Sequence, residues 1–361
     1  MMRPFPAIAV LAGALGFAAP AAALNQAAIP KVLERAVDGF IRPGYRDLKT
    51  ATAGLGNAMQ ALCVTPSDAT LEAARNGFDA VVARWSHIEI VRVGPALEAN
   101  RFERFLFYPD RKGTGLKQVQ ALLAKPDESA TVAANLKGKS VAMQGLGALE
   151  FVLFGTGSET LVQDAAGFRC RYGAAVAGNL DVVAGELSAA WEQPDGVQSA
   201  WKHPGPDNPV YRDDGEAVAG LLGILVHGVE AVKDQRLRAF YPGPGERTRP
   251  KSAIYWRSAN TFPSIAGNVE GIRDLWQAAG MAELLDEDAR SLAGSIEFLE
   301  RSIIRMARSI DSPVEQFVDT PDGQAKLDYL VLNTNDLLER LNRDYGGAVG
   351  LGAGFSFADG D

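Results

Sequence analysis

Glu150 is the only charged residue between Ser140 and Ser158, inside the run Val141-Ala142-Met143-Gln144-Gly145-Leu146-Gly147-Ala148-Leu149-Glu150-Phe151-Val152-Leu153-Phe154. On a helical wheel apolar residues fall on every side of it, so the helix must be buried in protein and the carboxylate with it. A buried carboxylate is costly unless it is paired, hydrogen-bonded or bound to a cation. Two chemistries follow: a structural Glu–Arg pair between helices, or a contact to a ligand. Gly145 and Gly147 in mid-helix would each lose about 1 kcal/mol against Ala, which makes sense where another backbone or a ligand comes close. The run is too short to cross a membrane.

A second polar face lies in Gly220-Leu221-Leu222-Gly223-Ile224-Leu225-Val226-His227-Gly228-Val229-Glu230. Val218, Leu222, Leu225 and Val229 make a core stripe, and His227, Glu230 and Asp234 fall opposite it beside Gly220 and Gly223. His and Glu three apart are helix neighbours and could both reach one metal. A solvated polar face would show the same pattern, and no H-E-x-x-H pair is present. Arg101 and Arg104, one turn apart ahead of Tyr108-Pro109-Asp110, could grip an anion or pair with Glu150; a plain surface salt bridge is the other reading. His87 and Glu89 face different ways on a helix, and His203 sits in a Pro/Gly loop that reads as surface. No Gly-rich phosphate loop follows a strand and Gly-x-Ser-x-Gly is absent, so no catalytic constellation is complete.

These groups need elements to hold them, and the elements read as helices. Leu71, Ala74, Phe78, Val81, Trp85 and Ile88 step by three and four, as do Tyr172, Val176, Leu180, Val183, Leu187 and Trp191, and Leu292, Ile296, Leu299, Ile303, Met306 and Ile310. Thr65-Pro66-Ser67-Asp68, Asp213-Asp214-Gly215-Glu216 and Ser312-Pro313 mark helix starts. No long stretch alternates with period two, so the expected class is all-α. Gly155-Thr156-Gly157-Ser158 and the proline-rich 193–213 interrupt the pattern, which sets the expected boundary near residue 160 and gives bundles over 24–160 and 161–345. The Gly-rich segment 346–361 is not expected to be helical, and Gly354-Phe355-Ser356-Phe357 suggests a tail whose aromatics dock on the body.

Residues 1–23 read as an export signal: Arg3, an apolar run Ala7 to Ala19, and the small residues Ala21-Ala22-Ala23 for cleavage. Export places Cys63 and Cys170 in an oxidising compartment, where they could form one bridge or stay as two buried thiols. With 36 basic against 44 acidic residues the net charge is −8, which argues against a nucleic-acid partner. The 47% apolar content suffices for a large core, so wholesale disorder is excluded. Three histidines leave little room for a His-rich metal cage.

Trp85 with Val93-Gly94-Pro95, Asn100-Arg101, Phe107-Tyr108-Pro109-Asp110 and Gln144 through Phe151 resemble the imelysin-like proteins. So do Arg169-Cys170-Arg171-Tyr172, Asp234-Gln235-Arg236-Leu237, Trp256-Arg257-Ser258 and the closing Ala358-Asp359-Gly360-Asp361. The resemblance covers nearly all of the chain after the leader. It implies two similar four-helix bundles with a site where they meet, lined here by Glu150, Gln144, Arg101, Arg104, Arg257 and Ser258. It also implies an exported, periplasmic protein linked to iron acquisition, with iron, another divalent metal or haem as ligand. Envelope iron-uptake proteins would be its partners, and the mature chain would have no membrane span. The family signature reads Gly-x-His-x-x-Glu, and this chain has Gly147 where the His belongs. Metal binding at this spot, and the metallopeptidase activity for which the family has been catalogued, therefore lose a ligand; a zinc hydrolase needs about three protein ligands. Zinc-dependent proteolysis is accordingly not expected. His227 and Glu230 could supply substitutes beside Glu150. The expected function is a non-catalytic binding protein for a metal ion or small molecule; the alternatives are a metallopeptidase and an envelope interaction protein without a small ligand.

Overall fold

Apolar spacing of three and four turns into helix along the whole of the computed structural model, which describes residues 24–352. The expected leader, 1–23, and the Phe355 and Phe357 tail lie outside the described residues. Helix α1 (Ile29–Arg35) runs through a π turn, Ala36–Ile41, into α2 (Arg42–Val64). Ser67 then starts α3 (Asp68–Ile88) with a reciprocal cap: its hydroxyl accepts from the Thr70 N–H while the Thr70 hydroxyl accepts from the Ser67 N–H. The Asp110 carboxylate accepts from the N–H groups of Thr114, Gly115 and Leu116 and so opens α4 (Thr114–Ala124).

The Glu150 helix is α5 (Leu146–Phe154), followed by α6 (Phe168–Glu192). Asp213 caps α7 (Asp214–Glu230), which continues as a π turn over Ala231–Leu237. Helices α8 (Thr261–Ala279), α9 (Ser291–Arg308) and α10 (Pro321–Glu339) complete the long elements. No strand occurs among the described residues.

The packing sorts these helices into two groups. In one, α2 lies along α3 and α6, with α5 against α3 and α6; in the other, α8 lies along α9 and against α7, and α10 packs on both α9 and α7. The seam between them is α3 against α8. Gly271 makes it close: a Cβ there would sit 2.0 Å from the His87 carbonyl oxygen, so only glycine fits. His87 Nε2 meets Asp274 across the same seam at 2.9 Å.

The stripes foreseen on α3 and α6 are buried throughout. The boundary near residue 160 does not follow this packing, because α6 falls after it in sequence yet packs with α2 in the first group, and the crossing comes later, in 193–213. α1 likewise leaves its sequence neighbours and packs on α7 and α8. The glycine-rich end is partly helical, since a π turn over Arg340–Tyr345 and a turn over Gly346–Ala348 extend α10. By length and composition Asp214–Leu237 could cross a membrane, but most of it is buried inside the protein and it serves as a core helix.

Cys63 and Cys170 form a disulfide, with Cα atoms 5.5 Å apart, that ties the end of α2 to the start of α6 across 107 residues of sequence. The oxidised protein is therefore expected to show no thiol reactive to Ellman's reagent even in denaturant. Two titratable thiols there would mean that the bridge does not form.

Candidate functional site

Gly145 is the N-cap of α5 and touches backbone: a Cβ would stand 2.4 Å from the Phe105 carbonyl oxygen. The expectation of a close backbone is met there, although neither glycine lies in mid-helix. Gly147, in the first turn, has no heavy atom within 4 Å of where its Cβ would be, and it faces a cavity.

Glu150, one turn further on, is 4% exposed. Its Oε1 accepts from the backbone N–H of Arg257 at 3.1 Å and of Ser258 at 3.0 Å. The Ser258 hydroxyl lies 3.0 Å from the same oxygen and 3.2 Å from the Tyr255 carbonyl, with one proton for the two. Left-handed backbone at Tyr255 and Ala259 bends this loop so that consecutive N–H groups point at the carboxylate. Oε2 has Arg257 Nη1 at 4.0 Å. Burial pushes the Glu150 carboxyl up from its ordinary value, against these hydrogen bonds and the Arg257 charge. Burial also lowers Arg257, whose guanidinium is held between the rings of Trp256 (4.3 Å to the centroid) and Phe151 (5.3 Å).

Glu150 thus ties α5 to the loop ahead of α8 and also forms part of a cavity of about 560 Å³. One wall comes from 106–119 and 141–151, the other from 234–239 and 249–257. Tyr108, Tyr255 and Trp256 give it aromatic surface, and Arg111, Arg238, Arg249, Lys251 and Arg257 give it positive charge. That size suits a small organic ligand.

Of the residues expected to line the site, Glu150 and Arg257 do, and Ser258 supports Glu150. Gln144, Arg101 and Arg104 do not. Gln144 is buried, accepting from Arg104 Nε at 3.3 Å and donating to the Lys139 carbonyl at 2.7 Å. Arg104, 3% exposed, donates to Asn179 at 3.1 Å, and Arg101 donates to Glu186 at 2.8 Å and to the Pro95 carbonyl. These arginines knot the 95–105 segment to α6. Pairing and burial consume them, and a sequence pattern cannot separate such a pair from a ligand grip. Of the cationic rim only Arg257 is among the expected residues; Arg111, Arg238, Arg249 and Lys251 come from two inter-helix connections, 106–113 and 238–260, and share no spacing that a sequence pattern could show. Tyr108 and Trp256 lay in segments that the imelysin resemblance had already marked.

His227, Glu230 and Asp234 do share one face with Gly220 and Gly223, and all five line a second cavity of about 220 Å³. Its floor is the buried pair of Arg236 Nη2 with both Glu89 oxygens at 2.9 Å, joined by Asn268 Nδ2 at 2.6 Å from Glu89. His227 Nδ1 meets Glu230 at 2.9 Å. Glu150 belongs to the first cavity and His227 with Glu230 to the second, so the three do not converge as a ligand set. The π turn Ala231–Leu237 separates the cavities, and its Asp234 and Gln235 reach both.

The fit to a resident metal is poor on the donors present. Among the described residues no three of His, Cys, Asp and Glu come together. Oε1 of Glu150 already has three donors, and Gly147 offers no second ligand.

The Imelysin family model, a peptidase M75 family, matches residues 41–341. Among solved structures the chain is similar to an imelysin-like protein from Psychrobacter arcticum 273-4, at 16% identity and a TM-score of 0.75, over 92% of this chain and 99% of that one. It is also similar to a putative iron-regulated protein A precursor from Parabacteroides distasonis ATCC 8503, at 16% identity and a TM-score of 0.72, over 92% and 96%. No curated protein matches the chain. At that identity the two structures speak for the fold alone. The family match spans both helix groups and every wall of the Glu150 cavity, so this chain belongs to the imelysin family.

Proposed function

We propose that this protein is an exported, non-catalytic binding protein of iron acquisition, with the cavity beside Glu150 and Gly147 as its site. The observation that carries this reading is a cavity of about 560 Å³ walled from both helix groups, whose acid, Glu150, has its Oε1 engaged by the Arg257 and Ser258 N–H groups and so serves as a wall rather than as a reagent. On this reading the two helix groups are repeats of one four-helix unit, and the ligand holds them together. The leader over 1–23 supports export to the periplasm, and the iron-regulated name of one structural neighbour supports the link to iron. Peptidase chemistry is the weaker alternative. A water-activating metal needs about three protein ligands, and this cavity offers no such set.

Gly147→Trp tests the site, because the space above Gly147 is open and the new ring would fill the cavity without displacing backbone. Iron retained by protein purified from its native compartment under iron limitation is expected to fall to background in the variant, while the thermal midpoint stays within a few degrees of the parent. Equal iron content in both proteins would remove the cavity from the binding reaction. Chelator-sensitive cleavage of unfolded protein by the pure parent would favour the peptidase.

A further inference from the structure

We infer that the cavity takes an organic polyanion, a carboxylate-bearing chelate or porphyrin that brings its metal with it, and not a bare cation; this rests on the binding role proposed above. The chain as a whole is acidic, at −8, yet the cavity wall gathers Arg111, Arg238, Arg249, Lys251 and Arg257 against Asp110, Glu150 and Asp234. The acids are already engaged. Asp110 caps α4 through three N–H groups, Glu150 accepts from Arg257 and Ser258, and Asp234 meets Arg238 and Lys233 at 3.3 Å.

The cations are only partly matched: Arg238 pairs with Asp234, and Lys251 meets Glu315 at 3.6 Å. Among the described residues the Arg111 and Arg249 side chains have no hydrogen bond or ion pair, and Arg257 has only Glu150, at 4.0 Å. The Tyr255 hydroxyl is a further donor: the residue is 3% exposed, lines the cavity, and its oxygen has no partner among the described residues. A buried donor without an acceptor is unfavourable, and a ligand oxygen would relieve it. Trp256, under the Arg257 guanidinium, adds a flat face. Donors, positive charge and an aromatic plate select anionic oxygens on a flat or compact frame. A bare cation would meet net repulsion and find no ligand set, whereas a chelate already carries the ligands that the protein lacks.

Trp256 gives the readout. Tryptophan fluorescence of the full mature protein is titrated with ferric citrate, with haem and with zinc ion alone, at low and high salt, in the parent, in Arg111→Glu/Arg249→Glu and in Trp256→Phe. One or both of the polyanions is expected to give a saturable change that Trp256→Phe removes. The double reversal, at two exposed positions, is expected to weaken it about tenfold or more at an unchanged melting midpoint, and salt to weaken it further. Zinc alone is expected to give no such change. A saturable response to zinc that the double reversal strengthens would overturn the inference while leaving the binding reading in place. No saturable response to any of the three probes would overturn both.

Discussion

A Glu300→Met variant is expected to be more stable than the parent at pH 8 and to lose most of that advantage by pH 5. Glu300 lies on the inner face of α9, fully buried, and neither of its carboxylate oxygens has a partner among the described residues. The nearby cations are engaged elsewhere: Arg273 donates to Asp274 at 2.8 Å and Arg301 pairs with Glu297 at 3.4 Å. Burial, reinforced by the Glu297 and Asp274 charges, pushes the Glu300 carboxyl up to about 8 from 4.5. A folded-state value above the unfolded one means that the folded protein holds a proton which the unfolded chain releases. Stability from this group is therefore complete below pH 4.5 and is lost as pH rises toward 8. At 1.36 kcal/mol per unit, the difference between parent and variant should grow by about 3 kcal/mol between pH 5 and pH 8. Methionine keeps the length and the helix preference and takes no proton. Urea melts at the two pH values decide it. A difference that does not change with pH would mean that Glu300 is ionised, and paired, in the folded protein.

What the sequence disclosed and what it hid divide along physical lines. Periodicity records burial, so the stripes of α3 and α6 could be read off residue by residue, as could the caps at Ser67 and Asp213. The same periodicity carries no record of which helix packs on which. For that reason α6 was placed with the second half although it closes the first, and α1 was placed with the first although it packs on the second. Glu150 stood out because it was the one charge in an apolar run. Glu300 is as deeply buried, but it sits among Glu297, Arg301 and Arg305, so no apolar run sets it apart in the sequence. The polar face of α7 was legible to the residue, since i, i+3 and i+7 spacing places His227, Glu230 and Asp234 together; its role was not, because it opens on a different cavity from Glu150. The rim of Arg111, Arg238 and Arg249 follows no sequence period, because two irregular connections, more than a hundred residues apart in sequence, meet to form it.

Glu150→Ala is expected to cost about 3–5 kcal/mol. The loss arises because the variant strands the N–H groups of Arg257 and Ser258, and leaves the half-buried Arg257 guanidinium, now between Trp256 and Phe151, without its counter-charge. Glu150→Gln retains an acceptor at Oε1 and the same volume, so it should cost about 1–2 kcal/mol. The order of the two separates a carboxylate that holds the loop from one that merely fills space. If the loop depends on it, both variants should also change the cavity, because Trp256 and Arg257 sit on that loop. Ligand affinity should then fall more in Ala than in Gln. Urea melts give the stability order and the Trp256 fluorescence titration gives the affinity order. Equal melts for Ala and parent would show that Arg257 and Ser258 find other acceptors. The tie between α5 and the α8 loop would then not be the reason that a charge stands in this apolar helix.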